Sequence, residues 1–539
     1  MKKRLLLLPL LLVLFACMKG QKVDLIIHNA TIHCLDDANT EAEAMAIKDG
    51  LVVEVGPERQ ILNKYRSDET LDAQGKEVYP GFTDAHGHML MYAKQLLGVD
   101  LRGVRSAQEM IHRCEQYKAT HPGLRMLVGR GWDQSMWAGQ EMPDNTELSR
   151  LFPNIPVCLY RIDGHAALVN DYLLKKSGAL DHLKYLKGGE IVSKTIYLTR
   201  KPTGLLIDNA MNLVQPFIPD YSKKEYFKAL LQVQEELFQY GITGVHEAGI
   251  DYEHIGWFKT LVAKNQLKLN VYAMLMDSPQ NRSFAKKNGP YRYKNLSIRS
   301  FKCFADGALG SRGALLKAPY HDHPESRGLL LTEIQRMRNL AQFCLAQGYQ
   351  MNTHGIGDSA NALILDIYAG VFKRKPDHRF RIEHAQVIDP NDFQKFANYA
   401  VFPSVQPTHA VSDADWAEAR LGKARMQGAY ANKTLLNQFG MVALGTDFPV
   451  EQTNPFLTIQ AAVNHKASES LTLEEVFKGM TIWAAFAAFQ EKELGSLEKG
   501  KQATFAIFEN PVTADLGQAQ NYAWRTFIKG QCVFKLEAL

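Results

Sequence analysis

Seven strand candidates lie beyond residue 240, at 242–246, 269–275, 298–306, 350–354, 380–384, 401–406 and 441–447. Stretches of helical length, such as 333–347, 359–372 and 392–398, separate most of them. Strands that alternate with helices pair in parallel, because a helical crossover returns the chain to the same end of the sheet. An eighth run, Tyr79-Pro80-Gly81-Phe82-Thr83-Asp84-Ala85-His86-Gly87-His88, opens the series. Eight such strands are the number that closes a (β/α)8 barrel. The expected fold class is therefore α/β, a TIM-type barrel spanning 79–487.

The opening strand also carries chemistry. Side chains alternate faces along a strand, so His86 and His88 project the same way, and two imidazoles on one face can share a metal ion. Gly87 between them is expected to let the backbone approach whatever they hold. Other runs contribute similar groups: Lys302 within the fourth, His354 on the fifth, His384 on the sixth and Asp447 on the eighth. Strand ends of a barrel converge on its C-terminal face, which makes neighbours of residues distant in sequence. Taken singly, His384 reads as a core histidine and Asp447 as a helix cap. Together they form an imidazole and carboxylate set suited to zinc or a similar divalent ion.

The stretch 100–240 is far longer than a crossover and holds its own strands at 127–131 and 157–161, so an inserted subdomain near the barrel mouth is expected. Short strands at 23–30, 44–50 and 51–56, with hairpin chemistry in Lys48-Asp49-Gly50, are mirrored at 503–508 and 524–530. Both ends are expected to meet in one small β-domain, with His28 and His33 as ordinary residues of it.

With 46% hydrophobic and 22% charged residues, the 539-residue chain has the composition of an ordinary globular protein. A net charge of +5 over that length forms no basic tract, so no nucleic-acid partner is expected. Homo-oligomerisation stays open. Lys2, Lys3 and Arg4 precede the apolar run 5–16, too short to span a bilayer as a mature helix. Leu14-Phe15-Ala16-Cys17 resembles a bacterial lipobox, which implies a signal peptide over 1–17. It also implies export, a lipid on Cys17 and a membrane-anchored protein facing the periplasm. The other six cysteines form no CxxC pair, so no thiolate zinc or redox motif is indicated.

The run from Pro80 to His88 is joined by Phe301-Lys302-Cys303-Phe304-Ala305-Asp306-Gly307, His354-Gly355-Ile356-Gly357-Asp358, Arg381-Ile382-Glu383-His384 and Gly445-Thr446-Asp447. With Gly131-Trp132-Asp133, Arg161-Ile162-Asp163-Gly164-His165, Gly310-Ser311-Arg312-Gly313-Ala314 and Ser404-Val405-Gln406-Pro407, the chain resembles the amidohydrolase superfamily. Within it, the chain is most similar to the amidohydrolase 3 family, which includes N-substituted formamide deformylases. The resemblance implies a companion β-sandwich built from 23–78 and 488–539. It also implies one metal on His86, His88 and Asp447, a second on His354 and His384, and a carboxylated Lys302 bridging them. One or two divalent ions, zinc in the first instance, are thus expected, with a small molecule as substrate.

Such a centre makes water nucleophilic near neutral pH, and Asp447 would take the water proton and pass it to a leaving nitrogen. The function implied is hydrolysis of amide, formamide or cyclic amide C–N bonds other than ordinary peptide bonds. A deaminase or phosphotriester-type hydrolase on the same barrel is the alternative, and a non-catalytic solute-binding lipoprotein the third reading. His165 is the candidate donor to a developing oxyanion. Trp132, Trp137, Gln406 and Phe448 are candidate substrate walls, and Arg312 meets a substrate carboxylate or pairs with Asp306. His246 reads as a barrel histidine, and His254, His321, His323 and His409, in loop-like settings, receive no role.

Overall fold

The protein is described here by a computed structural model covering residues 20–182, 186–196, 199–218, 221–372, 377–515 and 521–537. The leader and Cys17 lie outside the described residues. Eight parallel strands follow one another around the barrel, each hydrogen-bonded to the next. They are β1 (Phe82–Gly87), β2 (Ile242–Ile250), β3 (Asn270–Met276), β4 (Leu296–Phe304), β5 (Gln350–Gly355), β6 (Arg381–His384), β7 (Phe402–Val405) and β8 (Ala443–Leu444).

Helices pack outside these strands for the reason their sequences suggest. Helix Ile334–Gln347 buries Met337, Leu340, Ala341 and Cys344, a single stripe at helical spacing, and stops at Gly348, whose φ of 72° suits glycine. Each large apolar side chain so buried contributes about 1.5–3 kcal/mol.

The last strand is shorter than the expected 441–447, because the chain turns after Leu444. That turn joins the two ends of the barrel sheet: the Asp447 amide donates to the His86 carbonyl at 2.7 Å, and the His88 amide to the Phe448 carbonyl at 2.8 Å. Thr446 adds its hydroxyl to Asp84 at 2.6 Å. Gly445 is required here, since a Cβ would lie 2.5 Å from the His86 nitrogen.

Between β1 and β2 the chain builds a six-stranded sheet, in the order Gly189–Ile196, Thr199–Asp208, Ala166–Val169, Val157–Arg161, Leu127–Trp132, Val99–Asp100. Alternate residues feed different cores: Val157 and Leu159 join one, Cys158 another, as period-two side chains must. A further sheet joins both chain ends, running from Gln531–Lys535, Arg525–Ile528 and Phe505–Phe508 through Glu69–Pro80 to Leu25–His33, Ala44–Lys48 and Leu51–Gly56. Its long strand Glu69–Pro80 runs almost directly into β1, so sheet and barrel share a continuous backbone. His33 stacks on Tyr79 there and contacts Glu77 at 2.6 Å. The six described cysteines are free, five of them buried. Among the described residues no helix is long and apolar enough to cross a membrane.

Candidate metal centre

The C-terminal ends of the strands frame a cavity of about 1350 Å³, whose lining includes His88, Lys302, His354, His384, His409 and Asp447. The inserted sheet and its loops supply Trp137, Arg161, His165 and Asp208 to its walls. Asp447 is the hub of the floor. Its Oδ1 lies 3.1 Å from Nε2 of His88 and 3.6 Å from Nε2 of His86, and its Oδ2 lies 3.7 Å from Nε2 of His409. The His86 ring is centred 4.8 Å from that of His384, which in turn is 4.5 Å from that of His354. Lys302 reaches in from β4 to place Nζ 3.2 Å from Nε2 of His86.

The backbone is bent to achieve this. His384, Ala385 and Asp447 have φ of 73°, 42° and 63°, sparsely populated for residues with a Cβ and held only where the surroundings over-determine them. Gly87 serves a different purpose from the one its sequence context suggests. A Cβ there would lie 2.3 Å from the Phe448 ring, so the glycine makes room for an aromatic packed beneath the histidine pair.

The imidazoles are oriented from behind. Nδ1 of His86 meets Glu383 at 2.6 Å, and the other Glu383 oxygen accepts from Arg381 at 2.6 Å. Arg381 also donates to the Ala85 carbonyl at 2.9 Å and contacts Nδ1 of His246 at 3.0 Å. A carboxylate on Nδ1 fixes the tautomer that turns an unprotonated Nε2 to the cavity. Burial, with the nearby Lys302 ammonium, pushes His86 down to about 4, and burial holds His354 and His384 well below the ordinary histidine value. All three therefore stand as neutral imidazoles, the ligand form. Burial opposes ionisation of Asp447, but the neighbouring His88, His86 and His409 outweigh it and hold its carboxyl well below the usual range. Burial also brings Lys302 down to about 8.

These donors fit a divalent cation. His86, His88 and Asp447 offer ligand atoms all within 4.8 Å of one another, as do His384, His409 and Asp447. Nδ1 of His384 and Nε2 of His409 are buried without a hydrogen-bond partner, a condition native proteins normally avoid.

The walls differ from what the motifs suggest. His165 does line the cavity, its ring 5.2 Å from that of His354 and its Nδ1 2.6 Å from Oδ1 of Asp208. Burial disfavours charge on His165, but Asp208 and Asp163 outweigh it and raise its pKa. Trp137 also lines the cavity. Four expected contacts do not. Trp132 is fully buried in the inserted sheet, its indole N–H on the Leu159 carbonyl at 2.7 Å. Phe448 packs under Gly87, and Gln406 is buried off the cavity. Arg312 pairs with Asp322 at 2.9 Å, not with Asp306. Asp306 instead accepts three backbone amides, from Leu315, Ile356 and Gly357.

Residues 69–534 match the amidohydrolase family. The chain belongs to the amidohydrolase family. Protein LONG AFTER FAR-RED 3 of Arabidopsis thaliana is 32% identical to this amidohydrolase over 514 residues, 90% of this chain and 87% of that one. N-substituted formamide deformylase of Arthrobacter pascens is 25% identical, over 95% of this chain and 98% of its own. An uncharacterized metal-dependent hydrolase from Pyrococcus horikoshii superposes with a TM-score of 0.72 at 26% identity, covering 90% of this chain and 97% of that one.

Sequence reasoning passed over two residues of this amidohydrolase site. His409 stands three residues beyond Gln406, just past β7, where the strand-end rule that singles out its partners also applies. Glu383 lies inside a quoted motif, but its contact with His86 spans 297 positions and leaves no local trace.

Proposed function

We propose that this protein is a hydrolase dependent on a divalent metal ion, zinc in the first instance, that cleaves C–N bonds of amides, formamides or cyclic amides. The supporting observation is the convergence of His88, His384 and Asp447 on the floor of one cavity, with His86 buried against them. His86, His88 and Asp447 would hold one ion, and His354 and His384 would contribute to a second. Lys302 is the candidate for a bridging carbamate: with its pKa near 8, part of it is the neutral amine that reaction with CO2 requires. When bound, the metal lowers the pKa of water and polarises a carbonyl.

The chain's own groups complete the chemistry. Asp447 accepts the proton of the attacking water and returns it to the leaving nitrogen. His165, held by Asp208, donates to the carbonyl oxygen as negative charge develops there. Glu383 keeps His86 in its ligand tautomer. The similarity to the Arthrobacter N-substituted formamide deformylase favours formamides among the candidate substrates.

In the same reading 100–240 is the inserted subdomain that shapes the mouth, and 23–78 with 488–539 form the companion β-sandwich. Cys17 carries a lipid that anchors the exported enzyme, which mass spectrometry of the mature N-terminus tests. The activity is tested by screening the zinc-loaded chain against formamides, N-acyl amino acids and cyclic amides. Asp447→Ala is expected to abolish turnover with the fold intact. Undiminished turnover in that variant, or release of ammonia from amino-heterocycles in place of amide cleavage, overturns the reading.

A further inference from the structure

We infer that His409 is a metal ligand, joining His384 and Oδ2 of Asp447 in a donor set beside the one formed by His86, His88 and Oδ1. The inference rests on the reading of the barrel floor as a metal centre and deepens it: the two oxygens of one carboxylate face two groups of imidazoles. Oδ1 is turned to His86 and His88, Oδ2 to His409. A carboxylate so placed can join two cations, one on each oxygen.

Three observations converge. The ligand atoms of His384, His409 and Asp447 all lie within 4.8 Å of one another. The 3.7 Å between Nε2 of His409 and Oδ2 of Asp447 is close to the roughly 3.4 Å that separates neighbouring donors in a tetrahedral site with bonds of about 2.1 Å. Second, Nε2 of His409 has no hydrogen-bond partner although the residue is 9% exposed, and Nδ1 of His384 has none at 5% exposure. Two unpartnered imidazole nitrogens within one donor set are suited to bind a cation. Third, the His409 and His384 rings lie nearly parallel, 15° apart with centroids 5.9 Å apart.

The short helix His409–Ser412 that carries His409 is fixed by its own contacts. Ser412 donates to Glu451 at 2.6 Å, and Asp413 accepts from Tyr430 at 2.7 Å and Gln386 at 3.0 Å. The imidazole is therefore presented by a braced turn, which is how preorganised ligands are held. Were His409 simply the charged partner of Asp447, a hydrogen bond between them would be expected; Nε2 makes none.

The full chain, stripped by chelator, is titrated with Co²⁺; bound ion is counted by elemental analysis and the visible ligand-field spectrum recorded. Wild type is expected to take two equivalents and His409→Gln one, with one set of bands lost and the unfolding midpoint of the stripped protein unchanged. His409→Asp, which restores a donor, is expected to recover the second equivalent even if the glutamine variant folds poorly. Two equivalents and an unaltered spectrum in His409→Gln overturn the role of His409 and leave the metal centre standing. A wild type that stops at one equivalent also overturns it, and one that takes up no cobalt removes the metal centre altogether.

Discussion

Replacing Glu383 by Gln tests the claim that the metal ligands are held from behind by a buried charge. The carboxylate accepts from Arg381 and contacts His86, each at 2.6 Å, and both its side chain and that of Arg381 are fully buried. Glutamine keeps the shape and one acceptor but strips the guanidinium of its countercharge. Removing one partner of a buried pair costs about 3–5 kcal/mol, and the lower end applies because an acceptor remains. Loss of the group that orients a ligand histidine typically costs about 10–100-fold in metal affinity. Urea unfolding of the stripped protein and a Zn²⁺ competition titration of the folded variant read the two effects separately. Burial opposes ionisation of Glu383, but Arg381 and His86 prevail and hold its pKa well below the ordinary value. Its stabilising share is thus present above about pH 4.3 and is lost as acid titrates the folded carboxylate. The gap between wild type and variant should therefore narrow only below pH 4.3. Equal unfolding midpoints and equal zinc affinity at pH 7 would refute the reasoning.

Asp208→Asn is expected to lower kcat by about 10²–10³ with little change in KM, since it removes the carboxylate charge that aims His165 and raises its pKa; an unchanged kcat–pH profile would count against it. His86, His354 and His384 are kept neutral by burial while the unfolded chain protonates them below about pH 6.5. The stripped protein should therefore lose up to about 1.4 kcal/mol per histidine per pH unit as acidity rises from there, seen as a falling unfolding midpoint. Gly87→Ala drives a methyl into Phe448 and is expected to cost about 1–3 kcal/mol; it should also weaken metal uptake, read by elemental analysis.

Much of the barrel could be read in advance because its signals are local. Period-two spacing puts His86 and His88 on one face, and strand-length segments set off by helical stretches mark β2 to β7 within a few residues. The last strand is shorter than 441–447: Met441 to Leu444 are apolar, but the chain then turns, and Asp447, with its positive φ, donates its amide to the His86 carbonyl, a partner some 360 positions away. The aromatic walls were misplaced for a related reason. Trp132 and Trp137 are five residues apart, and only the packing of the inserted sheet decides that one supports it while the other faces the cavity.

By itself the amino-acid order determined the strand and helix alternation and the residues that end up on the barrel floor, because periodicity and strand-end position are properties of a short segment. The tertiary structure alone decided that Asp447 turns one oxygen to His88 and the other to His409, and that Glu383 backs His86. Those are distances between segments brought together by closure of the sheet, and no local pattern encodes them.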